Sequence, residues 1–180
     1  MSIAERVDFM RDGMLVRRYH QYTTHETDTV GKHSAGVALF AQMIDPGCRK
    51  EVLLGALFHD LGEGVLGDIP SPTKKMLSQQ CRDELDAIEL KALEANGYPT
   101  ELLTDSEVSL LKLCDCLDGL AFCVEELNRG NRSIRGVGDK YSAYIADHLG
   151  TSACQYDWYM SGMDVYSVLT YAWRNANEVR

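Results

Sequence analysis

Between Asp105 and Leu127 the chain holds no proline and places apolar residues on two sides of a helix. Leu110, Leu113, Leu117, Leu120 and Val124 fall on one side, and Val108, Leu111 and Phe122 on the other. A helix that is apolar on both sides has to be surrounded by other elements, so this segment is predicted to lie at the centre of the core. The rest of the chain follows the same period. Residues 2–10 open on a capping box, Ser2 with Glu5 three positions on, and present Ile3, Val7 and Met10 on one face. Thr29 is placed to cap a helix carrying Val30, Val37, Ala38, Ala41 and Ile44, which Asp45-Pro46-Gly47 ends. Residues 49–61 form a third helix with Val52, Leu53, Ala56 and Leu57 as its stripe. A charged amphipathic helix over 78–94 closes at Asn96-Gly97-Tyr98-Pro99, and helices over 141–149 and 157–176 finish the chain. Runs of alternating β-branched residues bounded by turn pairs are missing. The expected fold class is therefore all-α, a single-domain helical bundle.

A chain of 180 residues suits one domain, 1–180, because chains near this size bury roughly 70% of their unfolded surface in one core. With 18 Lys+Arg against 27 Asp+Glu the formal charge is −9, which argues against a protein that coats nucleic-acid polymers or an anionic membrane. A small anionic ligand remains compatible with that charge. The apolar run at 52–57 is far too short to span a bilayer, and the first residues hold no apolar run fit for a signal peptide, so the expected location is the cytoplasm of a bacterium or a phage-infected host. In that compartment Cys48, Cys81, Cys114, Cys116, Cys123 and Cys154 are expected reduced, and to act as small buried hydrophobes rather than zinc ligands.

Two polar segments interrupt the helices. Residues 17–29, rich in hydroxyls and aromatic rings, read as a loop with a task, since long structureless segments in compact domains are usually functional or disordered. Residues 130–138, glycine-rich and basic, read as a linker, either a mobile lid or a solvated loop.

The residues that carry chemistry are His33, the pair His59-Asp60 with Glu63, and Asp115. Helical arithmetic puts His33 on the face of Val30 and Val37, His59 one turn after Ala56, and Asp115 one turn after Leu111. Glu63 shares the side of His59 and Asp60 if that helix extends one more turn. Buried imidazoles and carboxylates are costly unless paired or ligated, so two His and two Asp from three helices either satisfy one another or hold a divalent metal. A mixed nitrogen and oxygen set suits Mn, Fe, Co or Zn.

The segments Val30-Gly-Lys-His33-Ser, Ala56-Leu-Phe-His59-Asp60-Leu-Gly-Glu63-Gly-Val-Leu-Gly-Asp68-Ile-Pro-Ser-Pro-Thr-Lys74 and Glu107-Val-Ser-Leu-Leu-Lys112-Leu-Cys-Asp115 together resemble the HD-domain phosphohydrolases. The chain is similar in particular to the bacterial 5′-deoxynucleotidases of that family and to shorter bacteriophage relatives that hydrolyse dATP. The resemblance covers a motif-bearing core at about 18–127, followed by C-terminal helices at about 141–177. It implies His33, His59, Asp60 and Asp115 as metal ligands, Glu63 beside the attacking water, and Asp68 as a second acid near the phosphate. It also implies Arg18, Lys74 and Lys112 as cations for the phosphate, with Arg17 an alternative to Arg18. Tyr19, Gln21 and Tyr22 would lie near sugar and base, where the tyrosines either contact the nucleoside or pack the loop onto the domain. Asp118 is either a support to this site or a surface acid.

The implied reaction is phosphohydrolysis of a deoxynucleotide with a Co, Mn, Zn or Fe ion, joined by Mg where a triphosphate is bound. Compact length leans toward dATP cleaved to deoxyadenosine and triphosphate, with removal of phosphate from deoxynucleoside monophosphates as the alternative and a non-catalytic nucleotide-binding regulator as a third reading. A homo-oligomer, dimer or hexamer, is expected from the same resemblance.

Overall fold

In the computed structural model, residues 2–98 and 103–178 are described, and among them nine α-helices and no strand are found. The helices are α1 (Ile3–Leu15), α2 (Val30–Ile44), α3 (Lys50–Phe58), α4 (Glu63–Leu66), α5 (Ser71–Met76), α6 (Gln79–Ala95), α7 (Asp105–Asn128), α8 (Arg135–His148) and α9 (Tyr159–Glu178). Side-chain caps start four of them. Ser2 and Glu5 form the expected box on α1, Thr29 accepts from the Lys32 amide at α2, Ser78 from Cys81 at α6, and Thr104 with Glu107 forms a second box at α7. Pro99, expected to close α6, lies outside the described residues.

The central helix is α7, which packs against α2, α3, α8 and α9. Leu113, Leu117 and Leu120 are wholly buried, and Phe122 is nearly so, while Val108 stays 47% exposed. The second apolar side is thus covered only at its C-terminal half. Burying one leucine side chain contributes about 1.5–3 kcal/mol, so this stripe dominates the core. Trp158 and Trp173 enter the same core, whereas Tyr171 faces out. Cys114, Cys116 and Cys123 are buried as small core residues, but Cys81 and Cys154 are exposed.

Two expected boundaries differ. Helix α1 continues to Leu15, and its Ile3 and Val7 are exposed; the buried point is Gly13, which packs against Leu61. The basic segment at 130–138 is neither linker nor lid in form. A short 3-10 turn, Arg132–Ile134, leads directly into α8, with Ile134 wholly buried and Gly138 lying against the Trp173 ring. The isolated Ile134 carries too little sequence signal to outweigh its polar neighbours, yet burying it fixes the segment. No helix among the described residues is long and apolar enough to cross a membrane.

Candidate active site

Helix α2 delivers His33. The Thr29 cap sets the start of the helix, and His33 then shares the inward face with Val30 and Val37; its ring is wholly buried. Nδ1 lies 2.7 Å from Asp118 Oδ2 on α7. Nε2 points at Asp115 Oδ1, 3.1 Å away, and at Asp60 Oδ2, 3.7 Å away, with no hydrogen bond of its own. An imidazole that donates Nδ1–H to a carboxylate leaves Nε2 directed outward as a ligand. Gly36, one turn after His33, makes the Asp118 contact possible, since a Cβ there would overlap Asp118 Oδ1.

His59 stands at the end of α3, where its Nδ1 lies 2.8 Å from the Ala56 carbonyl oxygen. A carbonyl only accepts, so Nδ1 carries the hydrogen and Nε2 is left free, 3.2 Å from Asp60 Oδ2. His33, His59 and Asp60 each offer one ligand atom within 4.8 Å of the others, and Asp115 Oδ1 of α7 lies 3.1 Å from the His33 Nε2 of that group. Two imidazole nitrogens and two carboxylates converging on one buried, unpartnered Nε2 fit a divalent ion of intermediate softness.

The charges agree with that fit. Burial opposes charging His59, but Asp60 outweighs it and carries the ring up to about 9. Burial likewise opposes the charged form of His33, and the Asp115 and Asp118 carboxylates beside its two ring nitrogens outweigh it upward. Burial works against ionising Asp60 and Asp115, and the imidazoles hold both carboxyls low all the same. Each raised ring holds a proton more firmly than a free imidazole does, and a bound cation would compete with that proton for Nε2.

The turn after α3 differs from the extended helix expected for it. The helix ends at Phe58, two tight turns follow, and Glu63 opens the separate four-residue α4. Gly62 meets Glu89 of α6 and Gly64 meets Gly13 of α1, approaches that a larger residue would block. Glu63 is 6% exposed with Oε2 unpartnered. Burial, then Asp60 and Asp68, push its carboxyl up to about 8, against the pull of Lys74. Asp68 is raised by burial, and its Oδ2 lies 3.6 Å from His20 Nδ1. Lys74, in the last turn of α5, acts electrostatically on Glu63, Asp68 and Glu89.

Of the two adjacent arginines, Arg18 faces the cluster. Its guanidinium lies 3.8 Å from Asp28, 4.0 Å from Asp115 and 4.0 Å from Asp118, and Nη1 is buried without a hydrogen bond. Arg17 is exposed and pairs with Thr29 through the backbone. Lys112 is exposed on α7, one turn before Asp115. Tyr19 has φ +54, stacks on Phe122 at 4.6 Å, and shares a 3.0 Å hydroxyl contact with Tyr141 of α8. One face of its ring is therefore committed to packing. Tyr22 is half-buried and closes a turn by donating its amide to the Tyr19 carbonyl, while Gln21 is exposed at that turn.

Three participants were not singled out from sequence: His20 beside Asp68, Tyr141 beside Tyr19, and Glu126, which is fully buried behind the loop. Of the two readings open to Asp118, its contact with His33 Nδ1 fits the supporting one, and the i+3 spacing from Asp115 is the available signal.

An all-helical domain that brings a histidine from one helix, a His-Asp pair from the next and an aspartate from the central helix to one point is an HD-domain nucleotide phosphohydrolase. Residues 7–160 match the profile of the 5′-deoxynucleotidase YfbR-like family, and the chain belongs to that family. It is 29% identical over 155 residues to the 5′-deoxynucleotidase YfbR of Shigella dysenteriae, covering 73% of this chain and 77% of the relative. Among solved structures, the cyanophage S-2L HD phosphohydrolase DatZ, bound to dA and one catalytic Zn2+ ion, is similar with a TM-score of 0.67 and 19% identity over 99% of this chain and 98% of that one. An HD-domain phosphohydrolase from Listeria innocua is similar with a TM-score of 0.65 and 19% identity, covering 97% and 99%.

Proposed function

We propose that this protein is a 5′-deoxynucleotidase that removes the phosphate from 2′-deoxynucleoside monophosphates, with His33, His59, Asp60 and Asp115 holding a divalent transition ion. The observation that carries the reading is the convergence of two Nε2 atoms, each with its Nδ1 already engaged, on Asp60 and Asp115. Family membership supports the monophosphate over the dATP expected from chain length. Bound there, a Co, Mn, Zn or Fe ion would supply Lewis acidity and a water of lowered pKa.

The chain's own groups do the remaining work. Glu63, with Oε2 unpartnered and its carboxyl raised into the neutral range, takes a proton from the attacking water and holds it. Asp68, kept close by His20, is the second acid on the phosphate side. Arg18 offers the buried Nη1 to a phosphate oxygen, and Lys74 and Lys112 add positive charge from α5 and α7. Tyr19, Gln21 and Tyr22 border the nucleoside. The packed Tyr19 serves as a wall rather than a free stacking platform.

A second reading, dATP to deoxyadenosine and triphosphate with Mg on the phosphates, draws support from fold similarity along nearly the whole chain to the phage protein bound to dA. Incubation with cobalt or manganese and either dAMP or dATP separates the two. Inorganic phosphate from dAMP is the expected product, and triphosphate from dATP with dAMP untouched would replace the first reading by the second. A homo-oligomer belongs to the same proposal, supported by exposed Met160, Val168 and Tyr171 on α9, and light scattering reads the subunit number.

A further inference from the structure

Glu126 lies near the C-terminal end of α7, three turns beyond Asp115, and is wholly buried. Its carboxylate accepts from groups distant in sequence. Oε2 takes the His25 amide at 2.8 Å and the Asn131 side-chain amide at 2.8 Å, and Oε1 takes the Glu26 amide at 2.9 Å. The Asn131 amide also donates to the Thr23 carbonyl at 2.8 Å, and Arg129 sits 3.6 Å from Glu26 and 3.7 Å from Glu126. Three N–H donors fill most of the roughly four lone-pair sites of one carboxylate, which is what lets a charge be buried here. A glutamine would turn its own NH2 toward one of those donors.

The loop held in this way is the one that carries Arg18, Tyr19, Gln21, Tyr22 and Asp28. It is pinned to α7 a second time by Tyr19 stacking on Phe122, one turn before Glu126. The same helix bears Asp115 and Asp118, which face Arg18. One rigid element therefore fixes both the metal-facing carboxylates and the distance of the loop from them. We propose that Glu126 is a positioning residue that sets the register of residues 18–22 against Asp115 and Asp118, and so controls nucleotide affinity rather than the chemical step. This rests on the loop bordering the nucleotide, as in the function proposed above.

The test compares the wild-type protein, Glu126→Gln and Asn131→Asp, all loaded with cobalt. The second variant keeps the Asn131 oxygen that accepts from Ser133 but sets a carboxylate beside Glu126. Losing part of the clamp is expected to raise KM for dAMP about tenfold in Glu126→Gln and about threefold in Asn131→Asp, with kcat within about twofold. Cobalt affinity is expected to hold, and amide exchange at His25 and Glu26 to speed up. Unchanged KM in either folded variant overturns the inference, as does a parallel fall of kcat, cobalt affinity and KM-dependent binding, which marks a purely structural role. Should Glu126→Gln fail to fold, Asn131→Asp decides alone. Failure of the wild-type protein to hydrolyse any deoxynucleotide overturns the functional reading itself and is seen before any variant is compared.

Discussion

His33, Asp115 and Asp118 stand on α2 and α7, whose facing surfaces include Val37, Leu117 and Leu120, all at most 1% exposed. His59, Asp60, Glu63 and Asp68 instead occupy a stretch where the chain leaves α3, turns twice and passes through a single-turn helix. The first half of the site is positioned by core packing, and each side chain is locked by a partner on the opposite helix. The second half is positioned by backbone hydrogen bonds and close glycine contacts, and its carboxylates carry the most perturbed acid, Glu63. Rigid helices thus supply the geometry, and the turn supplies the group that exchanges a proton. Substitutions in the two halves should fail differently.

Glu63→Gln, in the turn, is expected to lower kcat by about 10²–10⁴-fold with cobalt affinity retained. The same variant should stabilise the metal-free protein. In the folded chain the Glu63 carboxyl is raised from 4.5 to about 8, so between those values the folded state holds a proton that the unfolded chain has lost, and stability falls as pH rises. A glutamine removes that fall, so thermal melts of the two proteins should coincide near pH 4 and separate progressively toward pH 8. Equal separation at every pH would contradict this account of the acid.

On the helical side, Asp118→Asn should weaken metal affinity by about 10–100-fold, because it releases the His33 ring without removing a ligand. Gly36→Ala should act in the same direction by displacing Asp118 from the opposite side. Isothermal titration with cobalt reads both, and undiminished affinity in the pair would show that α2 and α7 position His33 without that carboxylate. The smallest effect is expected at Thr104→Ala, far from the chemistry at the start of α7. It should cost about 1 kcal/mol in urea unfolding through loss of the capping box, with kcat/KM unchanged.

The same division explains how much of the site is legible in the sequence. His33, Asp115 and the core of α7 follow from helical period, because each lies one turn from a leucine or valine on a regular helix. Helix α3 stops at Phe58 rather than near 61, and the further turn on which the helical placement of Glu63 depends is absent, since period says nothing about where a chain stops obeying it. The order at 130–138 depends on Ile134 and a contact with Trp173, neither of which stands out among glycines and arginines. Glu126 was invisible for a related reason. On a helix near its polar end a glutamate looks like a surface charge, and only the return of residues 23–26 over it makes it a buried acceptor. The bridge of Arg17 to Thr29, which leaves Arg18 to face the cluster, is likewise a tertiary feature that the sequence does not display.

The most direct test of the central claim is a cobalt titration followed by visible absorption at pH 6 and pH 8, on the wild-type protein, His33→Ala, Asp60→Ala and Asp115→Ala. Both halves of the site are proposed to grip one ion, so the wild-type protein should take one equivalent per chain, more tightly at pH 8 because the metal must displace a proton from the raised imidazoles and does so more readily at the higher pH. All three variants should lose it. Binding that survives both Asp60→Ala and Asp115→Ala, or that does not depend on pH, would contradict a single centre shared between the helices and the turn.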